Sequence, residues 1–505
     1  MDASQQLKQD VREGRIDVDR LVDVIVTLQR QLETTQQQLE AARLENEKLK
    51  KKLGSTSAKT AEPFSVRAEE QRQEKRGRKK RRLSKQGRRG RLSKADKLKL
   101  AERTEPCYPA GVPQEDCWLS HTRPVWCLAN GRAVLIAYAI YRGPNNQYGK
   151  IPGVLGRSEF SLEIMVQIAY MVYVTGLSFD KVCQLLQFMQ NLHLGKTQVD
   201  GLLRQLARHW QHEFDVLCTL LANSLVVHTD ETSWSINSVW AFLSEQARVL
   251  FFGVHKDAAT LEKILDPRTF LGLVISDDAA VYANFTQGQK CWAHLLRKAI
   301  KLTLQEPANV EYRDFTDRLL EIYRRACRVQ RDQRLSPAGR KDKVAVLNGD
   351  ILTLCAPVWL QELPPQEQGP ANDYRLLVNE VMRLMCDEQL FTFVTAPPVV
   401  QPNGVSQPVA GTNNETERTL RGPARARDAG RTNKTLVGAR RQTIIVSVLE
   451  SLRLYLTTFT FDDIKAEIER WWQAGQSCFS ELLKKQELQP PSQTILDILI
   501  PVPSG

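Results

Sequence analysis

Between residues 21 and 53 apolar positions recur in alternating steps of four and three. The a positions are Ile25, Leu32, Leu39, Asn46 and Leu53, and the d positions are Leu21, Leu28, Thr35, Ala42 and Leu49. Glu, Gln, Lys and Arg fill the outer face, which predicts a coiled coil over residues 1–55. Asn46 at an a position favours a parallel, in-register dimer. Thr35 and Ala42 weaken the seam, and a single amphipathic helix docked on the rest of the chain is the alternative. After a turn-rich stretch (101–157) with one apolar run, Ala133–Tyr141, two or three amphipathic helices are predicted over 158–222. They join at Gly176-Leu-Ser and at Leu194-Gly-Lys-Thr. A helix-turn-helix that binds DNA and a plain packing domain fit this pattern equally.

The period then shortens. LVVHTD (225–230), SVWAFLSE (238–245) and RVLFFGVH (248–255) read as strands, with Gln246-Ala247 as a tight turn. AATLEKILD (258–266) reads as a helix, LGLVISDD (271–278) as a fourth strand and KCWAHL (290–295) as a fifth, before LLRKAIKLT opens a helix. Three strands, a helix, two strands and a helix is the order of a ribonuclease H-like fold. The predicted class is therefore α/β, with a mixed-sheet catalytic core. Its first part is 223–302, a charged helical insertion without strands occupies 303–395, and a linker with a further helix (396–450) completes it. Helices and a tail follow over 451–505.

Charge changes the picture in one place. Fifteen Lys/Arg stand against Glu74 and Asp96 between Arg72 and Lys99, a local excess of +13 in a chain whose net charge is +12. A basic, disordered linker (56–100) that meets a polyanion follows, with Arg78, Lys79, Lys80, Arg81 and Arg82 at its centre. A solvated linker is the bland alternative. The apolar stretch Ile164–Leu177 is too short to span a bilayer, and the polar first residues are unlike a secretory signal. Ten cysteines with no CxxC pair suit reduced thiols in a cytoplasmic protein.

Candidate chemistry sits at the strand ends. Asp230 and Asp277 each close an apolar strand, and two such carboxylates on adjacent strands can hold Mg²⁺. A second metal candidate is Cys107, Cys117, His121 and Cys127, a C-x9-C-x3-H-x5-C set whose donors suit Zn²⁺ but whose spacing is loose. Incidental cysteines are the alternative there. Glu231 and Asp278 alternate to the opposite strand face and read as structural. His228 reads as a core histidine, His294 as packing or site, and Trp240 as core, while Trp234 could stack on a base. Glu417 stands three residues after Asn414, which is also the spacing of a capping box. Arg418, Arg421, Arg425, Arg427, Arg431, Lys434, Arg440 and Arg441 oppose Asp428 alone and suit a DNA backbone track.

Four segments taken together, HTDETSW (228–234), VISDDAAVY (274–282), CWAHLLRK (291–298) and NNETERTLR (413–421), resemble the insertion-sequence-66 family of bacterial DDE transposases. The chain departs from that family in lacking a CxxC pair. The resemblance implies that Asp230, Asp277 and Glu417 bind two Mg²⁺ ions. It further implies cleavage at element ends and joining of the 3′-hydroxyl to target DNA, with Arg418 and Arg421 beside the site on the DNA track. A homodimer or higher oligomer, small accessory proteins of the same element and a cytoplasmic, nucleoid-associated location also follow as expectations. Two rival readings are a related metal-dependent nuclease without strand transfer and an inactive coiled-coil DNA-binding protein.

Overall fold

In the computed structural model the described residues are 92–360, 369–491 and 493–501, with a few positions before residue 45. The chain divides into two units, Met1–Arg91 and Leu92–Gly505. In the first, residues 33–40 are helical and exposed, and Thr34 Oγ1 donates to the Arg30 carbonyl at 2.7 Å. The predicted a residue Leu39 is 52% exposed in the lone chain. Apart from Leu39 and Thr35, the predicted seam lies outside the described residues, as does the Arg78–Arg82 cluster.

The second unit opens with α1 (Lys94–Lys99) and a three-stranded sheet of β1 (Arg103–Cys107), β2 (Trp118–Ala129) and β3 (Arg132–Arg142), ordered β1-β3-β2. The turn-rich module expected here is thus a long hairpin. Asn130 and Gly131, at φ 51° and 75°, form its two-residue turn. Both positions need positive φ, which Asn and Gly tolerate best. Four helices follow: α2 (Leu162–Ala169), α3 (Phe179–Gln190), α4 (Lys196–His209) and α5 (Gln211–Ala222). The second predicted joint is a helix start, with Gly195 as the N-cap of α4.

The central sheet contains β4 (Val226–Ser233), β5 (Ser238–Ser244), β6 (Arg248–Val254), β7 (Leu273–Ser276) and β8 (Gly288–Lys290), with α6 (Ala258–Ile264) before β7. Its order is β6-β5-β4-β7-β8. The pairs β6–β5 and β5–β4 are antiparallel, whereas β4–β7 and β7–β8 are parallel. The fifth strand is shorter than expected. It stops at Lys290, and Cys291 is already the N-cap of α7 (Trp292–Gln305).

Beyond α7 lie α8 (Val310–Arg331), α9 (Pro337–Trp359), α10 (Pro370–Cys386) and the short α11 (Thr392–Thr395), the predicted helical stretch. A small hairpin of β9 (Val399–Val400) and β10 (Ser406–Gln407) interrupts the predicted linker. Then come α12 (Asn414–Asp428), α13 (Leu436–Tyr455), α14 (Phe461–Ala474), α15 (Cys478–Lys485) and α16 (Ile495–Leu499).

Helices cover both sheet faces, so the α/β class expected from the pattern is present. Trp240, Phe242 and Phe251 share one core with α2, α4, α5 and α13, which makes the helices of 158–222 part of the sheet's packing. Val226 and Ile275 face the other core, where Trp292, Phe315 and Leu377 anchor α7, α8 and α10. The outer edge of β6 is also closed. Thr443 Oγ1, Ser447 Oγ and Ser451 Oγ of α13 accept the backbone N–H groups of Phe252, Leu250 and Arg248 at 2.9–3.0 Å. Spaced four apart on one helix face, they satisfy donors that an edge strand would leave unpaired. No helix among the described residues is long and apolar enough to cross a membrane.

Candidate active site

Strand register builds the site. Between β4 and β7 the partners are Val226↔Leu273, Val227↔Val274 and His228↔Ile275. The same offset sets Asp230 beside Asp277, one strand spacing away, just where β7 stops. Asp230 accepts the Glu231 N–H at 2.8 Å, and Asp277 accepts the Ala279 N–H at 3.1 Å. Alternation turns the neighbouring acids elsewhere. Glu231 is buried between Tyr282 Oη at 2.6 Å and Lys256 Nζ at 2.7 Å, and Asp278 pairs with Arg383. Lys290 Nζ, on β8, donates to Ser276 Oγ and to the Asp277 carbonyl, both at 3.1 Å. Burial lowers this lysine's pKa.

A buried asparagine, Asn413, positions the helix that carries Glu417, the expected third acid. Asn413 Nδ2 donates to the Thr229 carbonyl at 2.8 Å, and its backbone N–H reaches Cys291 Sγ at 3.1 Å. Its Oδ1 accepts from Thr416 Oγ1 at 2.8 Å, and the Trp292 N–H donates to the Gly411 carbonyl at 3.0 Å. These bonds fix the start of α12 against the residue preceding Asp230. Asn413 is the N-cap by position, but its side chain makes no cap hydrogen bond, and the capping box that is the alternative role for Glu417 does not form.

Glu417, in the first turn of α12, faces α7, where its Oε1 accepts from Arg297 Nη2 at 2.5 Å and lies 3.8 Å from His294 Nε2. Glu415, two residues earlier, turns away to Arg248 on β6. Burial chiefly, then the charges of Glu231, Asp277 and Glu417, push the Asp230 carboxyl up to about 7. Like charges and burial both disfavour the ionised form of this carboxyl. His228, two residues before Asp230 on the same strand face, is held neutral by burial, its pKa down at about 4. Its Nδ1 has no hydrogen-bond partner among the described residues, but the ring shares a side-chain hydrogen bond with Asn413, in keeping with the bonded histidine expected.

The predicted DNA track is only partly free. Arg418, Arg421 and Arg425 are exposed on α12 and make no ion pair among the described residues. Arg427 bonds Ser233 at the end of β4, and Arg431 bonds the Gly176 carbonyl. Arg440 pairs with Asp497, and Arg441 with Asp200 and Tyr173. Trp240 is core, stacked on Phe242. Trp234 is buried against Phe252, which removes the base-stacking role considered for it.

The zinc set does not assemble. His121 and Cys127 lie on one continuous strand, six residues or about 20 Å apart, which no tetrahedral site spans. Cys107 and Cys127 are core residues, with Cys127 Sγ 3.8 Å from Tyr138 Oη. Cys117 donates to the Pro113 carbonyl, and His121 contacts Ser120. Residues that sequence reasoning left without a role include Asn413 and Arg297. The signal for the second was present, since Cys291, His294 and Arg297 recur every three residues, one face of a helix.

Residues 157–441 match the profile of the IS66 transposase family, and with more than half of its length matched the chain belongs to that family of DNA-processing enzymes. The match contains Asp230, Asp277 and Glu417. No curated protein matches the chain.

Proposed function

We propose that the chain is a DDE transposase whose ribonuclease H-like core uses Asp230, Asp277 and Glu417 to hold Mg²⁺. The sheet order β6-β5-β4-β7-β8, with only β5 running opposite to the other strands, supports that core. The observation that carries the reading is the electrostatic one. Asp230 is buried near the carboxylates of Glu231, Asp277 and Glu417, and among the described residues only Glu231 and Glu417 of these four make a side-chain ion pair. Oxygen donors at adjacent strand ends fit a hard divalent cation. Two bound Mg²⁺ ions supply Lewis acidity for an attacking water or 3′-hydroxyl and for the leaving oxygen of the phosphodiester.

The chain's own groups do the rest. Asn413 holds the start of α12 beside Thr229, near enough to Asp230 for the Glu417 charge to act on its carboxyl. Lys290 fixes the backbone at Asp277. Arg418, Arg421 and Arg425 present a row of cations leading from Glu417 along α12, suited to phosphates of the element end. The segment containing Arg78, Lys79, Lys80, Arg81 and Arg82 adds sequence-independent affinity, and the heptads of 1–55 pair two copies so that two DNA ends are handled together. Small accessory proteins of the same element and a cytoplasmic location on the nucleoid complete this reading.

The test is a plasmid-borne element end supplied to the purified full chain. Mg²⁺-dependent nicking followed by joining to target DNA is expected. Nicking without joining favours the nuclease alternative, and binding without nicking favours the inactive DNA-binding protein.

A further inference from the structure

We infer that Cys291, His294 and Glu417 form a second metal site, one that selects a borderline transition ion such as Zn²⁺ over Mg²⁺. One sulfur, one nitrogen and one oxygen donor from these residues all lie within 4.8 Å of one another. Edges of a tetrahedral zinc site are about 3.3–3.8 Å, so side-chain adjustments of about an ångström close the set. The local sequence is C-x2-H across the first turn of α7, which places both side chains on one helix face. The backbone N–H of Asn413 fixes Cys291 Sγ at 3.1 Å. A cavity of about 220 Å³ lined by Asp277, Lys290, Cys291, His294 and Lys298 adjoins the set and leaves room for a fourth, water ligand.

Mg²⁺ has little affinity for thiolate and imidazole, whereas Zn²⁺ takes both. Coordination releases the Cys291 thiol proton to solvent and displaces the Arg297 Nη2 from Glu417, a side chain that is 54% exposed and still tied through Nε to the Ala293 carbonyl. Lys298 does not oppose the ion strongly, because Glu380 neutralises it at 2.5 Å. On the reading that Glu417 completes the Asp230–Asp277 set, an ion bound here withdraws the third acid and stops cleavage. The existence of the site does not depend on that reading.

The probe is Co²⁺ titrated into the metal-free full chain, because thiolate ligation to tetrahedral Co²⁺ gives a charge-transfer band and intense visible absorption. One equivalent, displaced by Zn²⁺, is expected. The band is lost in Cys291→Ser, and affinity falls more than about tenfold in His294→Gln and Glu417→Gln. Cys386→Ser, at an exposed cysteine, and Asp230→Asn retain it. Absence of the band in the wild type, or its survival in both Cys291→Ser and His294→Gln, overturns the site. If Cys291→Ser fails to fold, His294→Gln, at a half-buried position, decides alone. A chain that binds Co²⁺ in this way yet shows no Mg²⁺-dependent cleavage overturns the reading of the Asp230 set and leaves this site standing.

Discussion

Two sheets in this molecule carry residues with metal-binding chemistry, and only one brings them together. In the central sheet Asp230 and Asp277 stand 47 positions apart in sequence, and Glu417 another 140, yet a shared register offset and one pinned helix gather them. Across the β1–β3–β2 sheet and the turn that leads into β2, Cys107, Cys117, His121 and Cys127 span 21 positions and remain apart. A strand advances about 3.3 Å per residue, so proximity along it separates donors. Adjacent strand ends converge however long the connection between them.

The largest effects should come from breaking the central sheet's convergence. Asp230→Asn and Asp277→Asn are expected to reduce Mg²⁺-dependent cleavage to background while DNA binding persists, in gel-shift and nicking assays run side by side. Cys117→Ser and His121→Ala, in the other sheet, should leave cleavage unchanged and shift stability by no more than about 0.5 kcal/mol. Loss of activity in that pair would erase the contrast.

Asn413→Ala probes the pin. It leaves the Thr229 carbonyl and Thr416 hydroxyl without a buried partner, at a cost of about 1–3 kcal/mol in denaturant unfolding. Cleavage should fall more than stability at temperatures where the fold is intact. Asn414→Ala, at an exposed position, should be nearly silent.

Titration sharpens the comparison without DNA. The folded Asp230 carboxyl titrates near 7 and an unfolded one near 3.9, so the folded state holds the extra proton between those values. Stability of the metal-free chain therefore falls as pH rises from about 4 through 7. Asp230→Asn removes that slope. With a chelator present it should be more stable than the wild type by about 4 kcal/mol at pH 8 and equal to it at pH 4. Equal stability at both would place Asp230 outside the cluster of like charges.

The smallest effect concerns DNA affinity. Neutralising Arg78, Lys79, Lys80, Arg81 and Arg82 should weaken binding to all sequences alike and flatten its salt dependence, by roughly 0.9 in slope for each phosphate that is no longer neutralised. Arg418→Gln with Arg421→Gln should lower the slope less.

Much of the central sheet was legible because apolar runs ending in Asp are a strong strand signal, and VVHTD and LVIS occupy the places expected. The fifth strand was overextended because Trp292 and Leu295 look alike as strand or helix core; Cys291 ends the ambiguity by capping α7. The β2–β3 hairpin was missed although Asn130-Gly131 announces it, since polar residues of β2 such as Ser120 and Thr122 mask its length. Partners of buried polar groups were not legible. Nothing in NNETER indicates that Asn413 reaches 184 residues back to Thr229, or that the spacing of Glu417 from Asn414 serves no cap.

The central claim is that strand register and the Asn413 pin make Glu417, rather than Glu415, the third acid of one site. Two residues along a helix turn a side chain by roughly 200°, which matches the pairing of Glu415 with Arg248 and of Glu417 with Arg297. The direct test is strand transfer by Glu417→Gln and Glu415→Gln, measured on the same element-end substrate at saturating Mg²⁺. Loss of transfer in Glu417→Gln with transfer retained in Glu415→Gln is the predicted result. The reverse pattern, or full activity in both, would contradict the account.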